Sequence, residues 1–126
     1  MSQPFQTNAN RVHWYLDESA DWLTSIDEQL RKIEKLSQKL NAINRNGDPE
    51  TNHFKSAIVR QSDLINALNS DVASQQHRLQ QDHAGNQMYD IDALFSQDIL
   101  RERLRDTEKH YIELRASLMK YLSTVL

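Results

Sequence analysis

The chain has 126 residues, no cysteine, two glycines, two prolines and a formal net charge of −3. That length fits one domain, and the lack of cysteine excludes disulfides, thiolate metal sites and cysteine nucleophiles. The acidic balance argues against a general nucleic-acid binder, and no run approaches the roughly 18 apolar residues of a membrane span.

Hydrophobic residues make up 38% of the chain, below the roughly 45–50% usual in globular domains. Long thin helices suit such a composition, because each buries only a stripe. A β-rich fold would need turn residues every 8–12 positions or so, and strong turn signals occur at only two internal places. The beginning, Met1-Ser-Gln-Pro-Phe-Gln, has neither the basic start nor the apolar run of a secretory signal, so a soluble cytoplasmic protein is expected.

Residues 1–9 read as a flexible tail, since Pro4 and its polar neighbours disfavour a helix there. A first helix is predicted over about residues 10–45. Val12, Leu16, Leu23, Ile26, Leu30, Ile33 and Leu40 recur at three- and four-residue steps, with Ser19 and Ser37 as polar interruptions. Tyr15, Trp22, Leu36 and Ile43 run beside them. The buried face is therefore wide enough for two neighbours. Asp27 and Arg31 are placed as an i,i+4 ion pair on the outer face.

The break Asn44-Arg-Asn-Gly-Asp-Pro-Glu50 puts Gly47 just past a helix end, Asp48 at an N-cap and Pro49 at the first helical position. This is a short αα-hairpin, so the second helix, predicted over 49–83, returns antiparallel. Its stripe is Phe54, Ile58, Gln61, Ile65, Leu68, Val72, Gln75 and Leu79. Two of those seam positions are polar, and the final third carries one apolar residue. Gly85 ends the helix, and Asp90 is placed to cap the third, with Tyr89 and Leu94 as a hydrophobic staple.

The third helix is predicted over 90–126, with its stripe at Leu100, Leu104, Thr107, Tyr111, Leu114, Leu118, Tyr121 and Val125. Ile91, Leu94, Phe95 and Ile99 do not extend that stripe in register, which predicts a kink or a helix break near Ser96. The fold class that follows is all-α: residues 10–126 as an elongated, coiled-coil-like, antiparallel up-down-up three-helix bundle. In helix count and length this is similar to spectrin-like repeats and small bacterial export chaperones, but no residue motif ties it to either.

The hairpins bring Trp14, Tyr15, Trp22, Met88, Tyr89 and Phe95 to one end, against the small and polar end of the second helix. Most of these rings are expected to fill space that Ala73, Ser74 and the glutamines leave empty. Trp14 is the exception, because its register places it on the outer face, away from both neighbours. Trp is a favoured interface anchor, so Trp14, Tyr15, Met88 and Tyr89 are the candidate contact residues for a protein partner.

Catalytic signals are lacking. Glu50-Thr-Asn-His53 has the Glu-x-x-His spacing of di-iron bundles, but those need two such motifs and further Glu ligands, and this chain has one. His13, His77 and His83 share an end of the bundle, which gives a metal- or ligand-binding alternative. His77 and His83 lie on different helix faces. There is no Gly-rich phosphate loop and no nucleophile paired with a base. Arg101, Arg103, Arg105, Lys109 and Arg115 interleave with Glu102, Asp106, Glu108 and Glu113, so a solvated, salt-bridged face is expected. The sequence thus predicts a non-enzymatic helical interaction module without cofactor or metal: an adaptor, scaffold or chaperone-like protein with protein partners, a homodimer among them.

Overall fold

The computed structural model describes residues 4–43, 47–84 and 91–125, with side-chain surroundings for 12–43, 47–81 and 95–125. It comprises three α-helices, α1 (Pro4–Ala42), α2 (Pro49–Ala84) and α3 (Ile91–Val125). Val12 of α1 packs on Leu79 of α2, while Leu30 and Ile33 lie across from Ile58, so these two helices are antiparallel. Hydrogen bonds join Gln75 to Gln97 and Gln61 to Thr107, which sets α3 antiparallel to α2. Up-down-up order follows, with α1 and α3 parallel: an all-α three-helix bundle.

Residues 4–9, expected in a flexible tail, are helical. Helix α1 starts at Pro4 rather than near Asn10. A proline is tolerated at the first helical position, where its missing N–H is one of the unpaired donors in any case. The first hairpin forms as its residues require. Gly47 adopts φ +92°, a left-handed conformation that glycine reaches without a Cβ penalty, but α1 ends at Ala42 rather than near Arg45, so Gly47 does not directly follow the helix. Asp48 caps α2, its Oδ1 accepting from the Glu50 N–H at 3.2 Å. Gly85, Met88, Tyr89, Asp90 and the side chain of Leu94 lie outside the described residues, and with them the second hairpin, its cap and its staple.

The main core holds Trp22, Ile26, Ile33, Leu36 and Leu40 from α1, Ile58, Ile65, Leu68 and Val72 from α2, and Leu100, Leu104, Leu118, Tyr121 and Leu122 from α3. Each fully buried aliphatic side chain contributes on the order of 1.5–3 kcal/mol through apolar burial. The seam of α1 runs through Ser19, Trp22, Ile26 and Gln29, all buried, while Leu23 and Leu30 flank it. The polar seam positions Gln61 and Gln75 of α2 are buried as the periodicity required.

Helix α3 has no break at Ser96. Its buried stripe continues upstream through Gln97, and Phe95 and Ile99 point outward at 63% and 58% exposure. Phe95 and Ile99, two of the four residues out of register with the stripe, need no break because they do not enter the core. Register is instead held by a buried glutamine with hydrogen-bond partners on both other helices. An amide so satisfied occupies a core position at little cost.

Candidate functional site

The structure concentrates its unusual chemistry around Gln97, at the end of the bundle that holds both tryptophans. The Gln97 side chain is 0% exposed. Its Nε2 donates to Glu18 Oε1 at 2.9 Å, with longer approaches of 3.4 Å to the Tyr15 carbonyl and to Ser19 Oγ. Its Oε1 accepts from Gln75 Nε2 at 3.2 Å. One side chain thus joins all three helices, and Ser19, Gln75 and Gln97 form a buried polar layer across the bundle. Unmade bonds here would each cost about 1–3 kcal/mol, so the network penalises any shift of register.

Arg101 lies one turn further along α3. It donates from Nε to Glu18 Oε2 at 3.0 Å, from Nη2 to Glu18 Oε1 at 2.6 Å and from Nη1 to Asp98 Oδ1 at 2.7 Å. The fork on Glu18 is bidentate, the strong form of such a pair. The bond to Glu18 is the largest cause holding the Arg101 guanidinium well above the ordinary arginine range. Its carbon sits 5.9 Å from the ring centroids of both Trp14 and Trp22, within cation–π reach. Arg101 therefore belongs to the α1–α3 seam and not to a solvated face. Arg103 matches the sequence reading better, pairing with Asp71 across α2 and α3 at 2.7 Å.

Trp22 is in the core and Tyr15 is half-buried. Trp14 is 57% exposed. It does not stand apart from both neighbours, however. One side meets Tyr15, with centroids 5.4 Å apart, and the Arg101 guanidinium reaches it from α3. Phe95, expected among the rings at this end, is exposed instead. Of the four candidate contact residues, Met88 and Tyr89 fall outside the described residues.

A shallow cleft of about 280 Å³ opens between α2 and α3, lined by Ser74, Gln75, Arg78, Ile99, Leu100 and Arg103 among others. At the opposite end, Glu50 and His53 line an open cleft of about 580 Å³ with Phe54, Lys120 and Tyr121. His53 meets the Phe54 ring edge-on, and Glu50 lies in the first turn of α2. Nearby, the Tyr121 hydroxyl donates to Asp48 Oδ2 at 3.0 Å and lies 2.8 Å from the Thr51 hydroxyl, tying the α2 cap to α3. His77 bonds to Gln81 one turn along, and His13 lies 3.9 Å from Asp17. Both are exposed, and His83 is outside the described side chains. Among the described residues no three His, Asp or Glu side chains converge as metal ligands, and no helix is long and apolar enough to cross a membrane.

No family model, curated protein or solved structure matches this chain.

Sequence reasoning placed Ser19 on the α1 stripe but missed Gln29 and Gln97 as interior groups and Arg101 as a half-buried one. Gln97 sits three residues from the apolar seam position Leu100, which was the available signal. Arg101 gave none, because its burial depends on Trp14 and Glu18 from another helix.

Proposed function

We propose that this chain is a cytoplasmic, non-enzymatic helical interaction module of the adaptor, scaffold or chaperone-like kind. Its partner is a protein, and its contact surface centres on Trp14. The observation that carries this reading is a large indole, more than half exposed, held from behind by Tyr15 and the Arg101 guanidinium. Interfaces favour Trp as an anchor, and an anchor already held in place loses less rotamer freedom on binding. The net charge of −3 and the pairing of Arg101 and Arg103 with carboxylates favour a protein over a nucleic acid as that partner. A second copy of the chain is one candidate.

Affinity capture with the intact chain and with Trp14→Ala, side by side, tests the proposal. The unsubstituted chain is expected to retain a defined set of proteins, itself included if it pairs, and the variant to lose them while keeping its helical circular dichroism. Identical retention by both chains would refute the role of Trp14. Light scattering over a concentration series separates self-association from a foreign partner.

A further inference from the structure

Among the described residues the buried apolar side chains form two clusters rather than one. The main core ends at Trp22, Val72 and Leu100. Beyond it lies a small cluster of Val12 and Leu79, with Tyr15 and Leu16 packed against it. Between the two stand Ser19, Gln75 and Gln97, all buried, with Glu18 and Arg101 closing the layer toward α3.

We propose that this polar layer is a conformational boundary, at which the end bearing Val12 and Leu79 opens as a unit while the main bundle stays folded. Cooperativity between neighbouring layers of a bundle comes from continuous apolar contact, because exposing part of a packed core penalises the rest. The Ser19–Gln75–Gln97 layer breaks that continuity. Its groups exchange protein hydrogen bonds for water at small net cost when the end opens. Among the described residues, four apolar side chains hold α1 to α2 beyond the layer, and regions with few buried apolar contacts open at the low end of a protein's range of opening free energies.

Glu18 supplies the latch. It accepts from Arg101 twice and from Gln97 once, so α1 cannot leave α3 at this level without giving up all three bonds. Opening bares Val12, Leu16 and Leu79. The boundary stands whether or not Trp14 contacts a partner, since it concerns the isolated chain.

Native-state hydrogen exchange on the intact chain, read by mass spectrometry at low urea concentrations, tests this. Protection is expected to rise in a step across Ser19 in α1 and Gln75 in α2. Amides in 12–18 and 76–81 should open at least about tenfold more often than those in 26–40 and 58–72, with a weak urea dependence. Glu18→Gln should lower protection at the end at least about tenfold further, and that of the main core by no more than the same factor, since the bonds lost are made in the closed state alone. Gln97→Leu together with Gln75→Leu, which joins the two clusters, should shrink the step. Uniform protection, or a smooth gradient from the helix ends with no step, would overturn the boundary. Unchanged protection in Glu18→Gln would overturn the latch.

Discussion

Removing Glu18 examines the α1–α3 seam directly. In Glu18→Ala the Arg101 guanidinium loses two bonds and Gln97 Nε2 loses its shortest one. Exposed ion pairs contribute only about 0–1 kcal/mol, while hydrogen bonds to charged groups contribute about 1.5–3 kcal/mol. The Glu18 side chain is 17% exposed and that of Arg101 is 30% exposed, so the pair belongs between these limits. Asp98 still holds one arm of Arg101, and Ser19 and the Tyr15 carbonyl remain near Gln97, which softens the loss. The expected destabilisation is about 1.5–2.5 kcal/mol. Urea unfolding followed by Trp fluorescence is a suitable assay, since Trp22 lies against Arg101. A double-mutant cycle with Arg101→Ala should give a coupling of about 1 kcal/mol, most of it surviving in 0.5 M salt, roughly the concentration range that screens exposed pairs. A coupling below about 0.3 kcal/mol, within the additivity expected of independent sites, would show that the fork does not join α1 to α3.

Three further substitutions probe the fold. Ile65→Ala, at a fully buried site, should cost about 2–5 kcal/mol, whereas Ile99→Ala should stay within about 0.5 kcal/mol of the parent in the same urea titration; equal losses would mean that α3 is rotated from the register described. Gly47→Ala places a Cβ in open space but at φ +92°, so a loss of about 1 kcal/mol from backbone strain alone is expected in thermal unfolding, and no loss would show that the hairpin relaxes out of the left-handed conformation. Tyr121→Phe removes the hydroxyl shared by Asp48 and Thr51 and should lower stability by about 1–2 kcal/mol; an unchanged urea midpoint would mean that these bonds are exchanged for water at no cost.

The architecture was legible because three- and four-residue apolar spacing and two glycine-marked breaks are local signals. Asp48 and Pro49 do in the structure what their order implied, and Gly47 is left-handed as expected, although α1 ends at Ala42 and not directly before it. The polar seam of α2 was readable too, since Gln61 and Gln75 fall in a stripe otherwise apolar. In α3 the same logic failed. Phe95 and Ile99 drew the core toward themselves, while Gln97 holds it, because a buried amide is stabilised by partners on α1 and α2 that a single stripe does not reveal. Arg101 shows the same limit: a run of alternating charges reads as a solvated face until a glutamate and two indoles from another helix close on one of its members. Trp14 was placed on the outer face by register, and it is largely exposed. Its contact with Arg101 arises from α3, so helix-by-helix reading leaves it out.

The functional reading rests on Trp14 meeting a protein, and photo-crosslinking from that position measures it most directly. Trp14→p-benzoylphenylalanine, introduced in cells that make the protein, is expected to give a discrete covalent adduct with a protein on irradiation. Arg60→p-benzoylphenylalanine, at an exposed position on α2, is expected to give none. Equal adducts from both positions, or none from position 14, would contradict the account.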